Sequence, residues 1–369
     1  MKNHLSFHSF SLPFTPFHSL LLAAALFLTS CGGNTENNGT ADSIAADIVL
    51  DAQQDSIRHT PEYIAQRIDT ILKYKDDMRF CSAHYLMLDA QAGKLSDEMG
   101  YVYRDYDHWA VGQDIDPKWS YKIKDIKDIK EATADVELTV HNFRNHRVIL
   151  NLVFERGDWY VDDFRISFSG KDLSNVSEKD DLLTFIYTRT HEKIDKKYGE
   201  TFNIYKYLND MIAASEIGDE VLFDRYALID VDLDGKFEVQ LHTLDDFYDV
   251  VFSLADGKPV LLVRTDPFTT LDIFEHGVAS QGGCGTGCAR GEFCLIKDSR
   301  PVCRTTWMNQ YNMKGELIDS ESGYSVNDKA CDEEAYLKAM SGIGSYVSFE
   351  RIWHSIDLSK NKSLSDYAE

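Results

Sequence analysis

What this chain of 369 residues lacks first is concentrated positive charge. Lys and Arg number 38 against 61 Asp and Glu, the formal net charge is -23, and no run gathers the basic residues into a patch. Nucleic acid and anionic lipid surfaces, which are read through clustered Lys and Arg, are therefore poor partners. Long hydrophobic runs are also missing. The run Leu20 to Leu28 covers about nine residues, too few to cross a bilayer as a helix. Catalytic signatures are absent as well: there is no Gly-x-Ser-x-Gly turn, His-Glu-x-x-His helix, Walker-type loop or Gly-x-Gly-x-x-Gly after a strand. No internal repeat is long enough to indicate a solenoid or propeller.

What is present begins with an address. Lys2, the short apolar run and Leu28-Thr-Ser-Cys31 have the layout of an export signal. The last four residues resemble the lipobox of bacterial lipoproteins, which implies removal of residues 1–30 and acylation of Cys31. Acyl chains on one residue would anchor the protein to a membrane surface. Gly32 after that cysteine suggests the outer membrane, by resemblance to sorting rules. Residues 31–58 are polar and Asp/Ala-rich with no sustained apolar period, the composition of a flexible tether.

Beyond the tether the pattern is α+β. Thr60 and Pro61 open a helix with Ile64, Ile68, Ile71 and Leu72 on one face. Two alternating stretches follow, Ala134 to Val140 and Val148 to Phe154, with a loop expected from Asn142 to Arg147. Arg156-Gly-Asp158 then turns the chain into a third strand, Trp159 to Ile166. "YDHWAVGQD" (from Tyr106), "ATADVELTV" and "VILNLVFERGDWYVDDF" (from Val148) resemble bacterial lipoprotein domains with the cystatin-like cone of nuclear transport factor 2, here over residues 59–170. The resemblance implies a helix packed on a curved antiparallel sheet, with His108 and Trp109 near a possible pocket at the cone's mouth. A boundary is expected at Gly170 to Val176. A second α+β domain is expected over 177–358: Ser177 to Asp180 reads as a capping box, helices follow, and after residue 222 short apolar runs alternate with Asp/Gly turns. Residues 359–369 form a tail.

The stretch "DVDLDGKFE", Asp230 to Glu238, lies between two of those apolar runs. As an EF-hand it fails, because position 12 is Leu241 and the flanking helices are missing. The spacing Asp-x-Asp-x-Asp-Gly-x-x-Glu resembles the shorter calcium loops between strands in integrin-type repeats. That resemblance implies carboxylate ligands from Asp230, Asp232, Asp234 and Glu238, the backbone carbonyl of Lys236, and a sharp turn at Gly235. Crowded carboxylates repel one another unless a cation or a proton relieves them. A structural Ca2+ is the expected cofactor, ahead of Mg2+, which prefers to keep water. The competing reading is a solvated turn with Asp side chains capping backbone N–H groups. The surroundings of the loop, "RYALIDVDLDGKFEVQL" onward, also resemble a poorly characterised module of secreted bacterial proteins, although Val239 stands where that pattern has Leu.

Five cysteines follow the loop, and an exported protein favours disulfides. Cys294 and Cys303 are symmetric about Asp298-Ser299; if those two residues are a hairpin turn, the cysteines face each other. That pairing is the expected disulfide, with Cys284–Cys288 second and Cys331 left over. Zinc is the rival, but the gaps do not match a zinc ribbon, and no Cys-x-x-Cys lies near a βαβ pattern. Cys81 and His84 are spaced to share a helix face, an ordinary coincidence. The expected function is a membrane-tethered, non-enzymatic binding or envelope-assembly module with an unknown protein or glycan partner. The alternatives are a glycan or peptidoglycan hydrolase using a carboxylate pair, and a small-ligand carrier using the cone cavity.

Overall fold

The computed structural model describes residues 56–357 and 359, apart from 168–176, 218–221, 245–246, 286, 313, 315 and 319–321. Cys31, the tether up to residue 55, the boundary expected at 170–176 and nearly all of the C-terminal tail lie outside the described residues.

The first helix, α1 (Pro61–Tyr74), starts where its cap requires: the Thr60 side chain accepts the Tyr63 N–H, and Ile64, Ile68, Ile71 and Leu72 are buried. After the short α2 (Asp77–Phe80), α3 (Ala83–Met99) is capped by Ser82 and ends at Gly100, whose φ of 74° is the left-handed conformation that closes a helix. An antiparallel meander follows in sequence order: β1 (Ser120–Lys127), β2 (Thr133–Asn142), β3 (Arg144–Glu155) and β4 (Asp158–Ser167). β2 alternates as its sequence does, with Ala134, Val136, Leu138 and Val140 inward. The expected loop from Asn142 to Arg147 is mostly strand, because Asn142 pairs with Arg144 and only Phe143, at φ 59°, makes the bend. Asn142 signals a turn in sequence, yet it is buried here. Its Nδ2 donates to the Asp114 carbonyl and its Oδ1 accepts the Asp116 N–H, which satisfies the amide inside the fold.

Ser177 caps α4 (Glu178–Tyr198) by accepting the Asp180 N–H, and α5 (Leu208–Ser215) follows. Two further antiparallel sheets make up the remainder. The five-stranded one has the order β16-β5-β6-β7-β8, from β5 (Phe223–Ile229), β6 (Glu238–Thr243), β7 (Asp249–Ser253), β8 (Val260–Arg264) and β16 (His354–Ser355). The seven-stranded one has the order β14-β13-β12-β11-β10-β9-β15. Its strands are β9 (Thr269–Phe274), β10 (Gly277–Gly283), β11 (Cys288–Lys297), β12 (Arg300–Gln310), β13 (Gly323–Val326), β14 (Lys329–Cys331) and β15 (Tyr346–Val347). A further helix, α6 (Glu333–Met340), is capped by Asp332, whose side chain accepts the Ala335 N–H. The architecture is mixed α+β.

β5 reads as the unbroken run Tyr226-Ala-Leu-Ile because both of its faces are covered. Ala227 and Ile229 join the main core, while Tyr226 and Leu228 join a second one formed with Leu208 and Met211 of α5. The main core does not stop between the expected domains. It runs from α1 and α3 through β2–β4 to Leu182, Ile186 and Tyr187 of α4, then on to Val231, Val263, Ile273 and Cys294. The described residues belong to one compact unit.

Candidate metal centre

The acidic loop connects β5 to β6, neighbours in one sheet, with Ile229 paired to Glu238 at its base. Leu233 at φ 56° and Gly235 at φ 84° bend it back on itself. Asp230 holds the bend: its carboxylate accepts the N–H groups of Asp234 (3.1 Å) and Gly235 (2.9 Å). Glu238 turns inward and its Oε2 accepts the Val231 N–H at 2.9 Å, while Asp232 Oδ2 accepts the Ser299 N–H at 3.0 Å. Two oxygens are then left over. Asp232 Oδ1 and Glu238 Oε1 are buried and have no hydrogen-bond partner. Each of Asp230, Asp232 and Glu238 brings an oxygen within 4.8 Å of the others, and among the described residues this is the one cluster of acidic, His or Cys side chains with metal-site geometry.

Burial, at 4% exposure for Asp230 and 0% for Glu238, sets the electrostatics. It pushes the Asp230 carboxyl up to about 7 and that of Glu238 up to about 8, with repulsion from the neighbouring carboxylates adding to the rise and the backbone N–H bonds opposing it. Asp232 is raised for the same reasons. The Ser299 hydroxyl, 3.3 Å from Asp234 Oδ1, also favours the charged form of Glu238, but one proton serves one carboxylate at a time. The site is therefore short of positive charge. A divalent cation would supply it, and an all-oxygen donor set suits a hard ion such as Ca2+ rather than a thiolate- or imidazole-seeking metal.

Not every expected ligand converges. Asp234 is engaged elsewhere, accepting both the backbone N–H (2.8 Å) and the ammonium (2.7 Å) of the exposed Lys236. The residue that sequence reasoning missed is Ser299, 67 positions from Asp232 and only 1% exposed. Its place in the Asp298-Ser299 turn was legible, but not the packing of that turn onto the acidic loop. A groove of about 250 Å³ between α3 and α4 reaches the loop at Asp230, Leu233 and Gly235, past Lys94, Leu95 and Lys193. It gives the loop a route to solvent.

The expected pocket residues are not at a mouth. His108 and Trp109 are buried at 4% and 5% exposure, with ring centroids 4.1 and 4.7 Å from that of Phe164. His108 Nε2 lies 3.0 Å from Asp77 Oδ1, and Trp109 Nε1 donates to the same oxygen at 2.5 Å. On the other side, Glu178 Oε1 accepts from Arg104 (2.6 Å) and the Tyr85 hydroxyl (2.9 Å) and lies 3.2 Å from His108 Nδ1. The polar atoms of these rings are used up by partners inside the fold, and the site is a filled core.

The cysteines also correct an expectation. Cys284 and Cys288 are bridged, with Cα atoms 5.1 Å apart, whereas Cys294 and Cys303 are free. Asp298-Ser299 is indeed the hairpin turn, with φ 54° and 58°. After Ile296 pairs with Pro301, however, the register shifts, so Leu295 faces Cys303 and Cys294 faces Arg304. Val302 is the extra residue of a bulge, and a one-residue shift sends the two thiols to opposite faces. Cys81 and His84 do not form a pair either: Cys81 is buried beyond the end of α2, and the His84 ring reaches Glu275.

No protein-family description, curated protein or solved structure matches the chain.

Proposed function

We propose that this chain is a lipid-anchored protein of the cell envelope, held at the outer membrane through Cys31, whose folded part is a non-enzymatic binding or assembly module built around a structural calcium ion. One observation carries the calcium reading: Asp232 Oδ1 and Glu238 Oε1 are buried without a donor beside Asp230. A buried carboxyl oxygen without a partner is costly, and an ion that binds all three carboxylates removes the cost. The anchored address rests on Leu28 to Cys31. A cystatin-like cone over 59–170 is supported by α1 and α3 packing on the ordered meander β1 to β4. The partner is a protein or glycan of the envelope, and cross-linking in intact envelopes is the way to capture it.

The hydrolase alternative requires two carboxyl groups roughly 5–9 Å apart with a sugar between them. The oxygens of this cluster lie within 4.8 Å of one another around a fully buried Glu238, so a sugar ring does not fit between them. Turnover of a cell-wall glycan by the pure protein would nonetheless overturn the non-enzymatic reading. The calcium reading is tested by titration calorimetry on the full chain in detergent. One ion per chain, lost in Asp232→Ala, is the expected result; no heat at millimolar calcium makes the loop a simple turn.

A further inference from the structure

The acidic loop is tied to more than its own strands. The carbonyl of Val231, between Asp230 and Asp232, accepts the Tyr187 hydroxyl at 2.7 Å, and the same hydroxyl lies 2.9 Å from the carbonyl of Glu275. Tyr187 is 2% exposed in the middle of α4, so water does not compete for either bond. Glu275 occupies the tight connection between β9 and β10. Its Oε2 accepts the Ser345 N–H at 2.7 Å, and its Oε1 lies 2.7 Å from His84 Nε2, in the first turn of α3. The joint is closely built: Gly344 has a φ of 79°, and a Cβ there would stand 2.6 Å from the Glu275 Cβ. Three steps thus connect the loop to the helical layer of the N-terminal half, from Val231 to Tyr187, then Glu275, then His84.

The first step has two acceptors and one proton. A phenol donates one hydrogen bond, so Tyr187 can serve Val231 and Glu275 fully only in turn, and a small displacement of Val231 changes what Glu275 receives. We propose that cation binding at Asp230, Asp232 and Glu238 is relayed by Tyr187 to the Glu275–His84 contact, so that the ion governs how tightly α3 is held to the β9–β10 connection. This rests on the calcium reading. The three carboxyl groups, two buried and one half-buried, crowd and repel one another in the empty loop, and a cation draws Asp230, Asp232 and the intervening Val231 toward Glu238. The ion prefers the closed loop, and that differential affinity is what shifts the joint. Tyr187 acts as a positioning residue and touches no ion.

The test is hydrogen exchange of the full chain in detergent, with calcium or with chelator, alongside calorimetry on the same samples. In the wild type, calcium is expected to slow exchange in the acidic loop and also, by about tenfold, around Ser345 and the start of α3. Tyr187→Phe is expected to bind one calcium and protect the loop while losing the distant protection. His84→Ala, at a position one-third exposed, keeps the fold in view: its protection is expected to reach Ser345 and stop there. Calcium binding with no distant protection in the wild type, or distant protection unchanged in either variant, overturns the relay and leaves the ion site standing. No calcium binding in any of the three overturns both.

Discussion

Glu238 enters β6 with Oε2 on the Val231 N–H and Oε1 facing no donor, and the behaviour of the loop follows from that asymmetry. Glu238→Gln replaces a buried acid by a neutral amide that brings its own donor, so its effect depends on calcium. In chelator the variant is expected to melt at the same temperature as the wild type or a few degrees higher; in calcium it is expected to melt lower, because it binds the ion at least tenfold more weakly. A thermal melt of both proteins under both conditions checks this, and equal losses under both conditions would contradict it. His108 supplies a second residue-scale prediction. Burial opposes its charge, but Asp77 and Glu178 hold the imidazole up to about 9. Arg104, 2.8 Å from His108 Nδ1, works against that rise, and two carboxylates outweigh one guanidinium. A folded value above the unfolded one, about 6.5, contributes stability that is fully present below pH 6.5 and lost as pH rises through about 9. The loss is expected to be on the order of 3 kcal/mol at most. His108→Asn should remove that contribution and make the stability profile shallower between pH 6.5 and 9, leaving the part due to Asp230 and Glu238, as followed by urea denaturation.

At the scale of elements, the hairpin β11–β12 shows where reading by symmetry stops. The turn at Asp298-Ser299 was legible because small polar residues between two apolar runs accept positive φ. The Val302 bulge has no comparable local signature. It follows from how the two strands pack, with Cys294 buried among apolar neighbours and Cys303 on the other face. Alkylation of the unfolded, unreduced chain followed by mass spectrometry should therefore label Cys294 and Cys303 at once, and Cys284 and Cys288 only after reduction. The same hairpin reaches the acidic loop through Ser299. Ser299→Ala removes the hydroxyl that Asp234 and Glu238 share and should cost about 1 kcal/mol. Ser299→Pro also removes the N–H that Asp232 accepts and cannot adopt a φ of 58°, so it should cost several times more, as read from denaturant midpoints.

At the scale of the whole molecule, the shared core joins two halves that read separately in sequence. Leu182, Ile186 and Tyr187 of α4 pack in the same cluster as Tyr85 of α3 and Ile273 of β9. The Glu178 carboxylate is bound by Tyr85 and Arg104 from the N-terminal half. Neither half can be exposed without opening buried polar groups of the other, so unfolding is expected as one transition. Trp fluorescence and far-ultraviolet circular dichroism should give coincident urea curves, shifted together by calcium; at a hundred times the dissociation constant the ion adds about 2.7 kcal/mol. Two separated transitions would show that the halves are independent.

By itself the sequence determined the export-signal pattern ending at Cys31, the caps at Thr60 and Ser177, the alternation of β2, and an acidic loop between two strands. These are local properties, because caps, turns and hydrophobic periods depend on neighbours a few residues apart. Tertiary structure decided which carboxylates meet. It turned Asp234 toward Lys236, brought Ser299 to Asp232, filled the space around His108 and Trp109 with Phe164, and slid Cys303 past Cys294. Each of these depends on two elements far apart in the chain being pressed together. That packing is set by the burial of apolar surface over the whole molecule, and no short stretch of sequence records it.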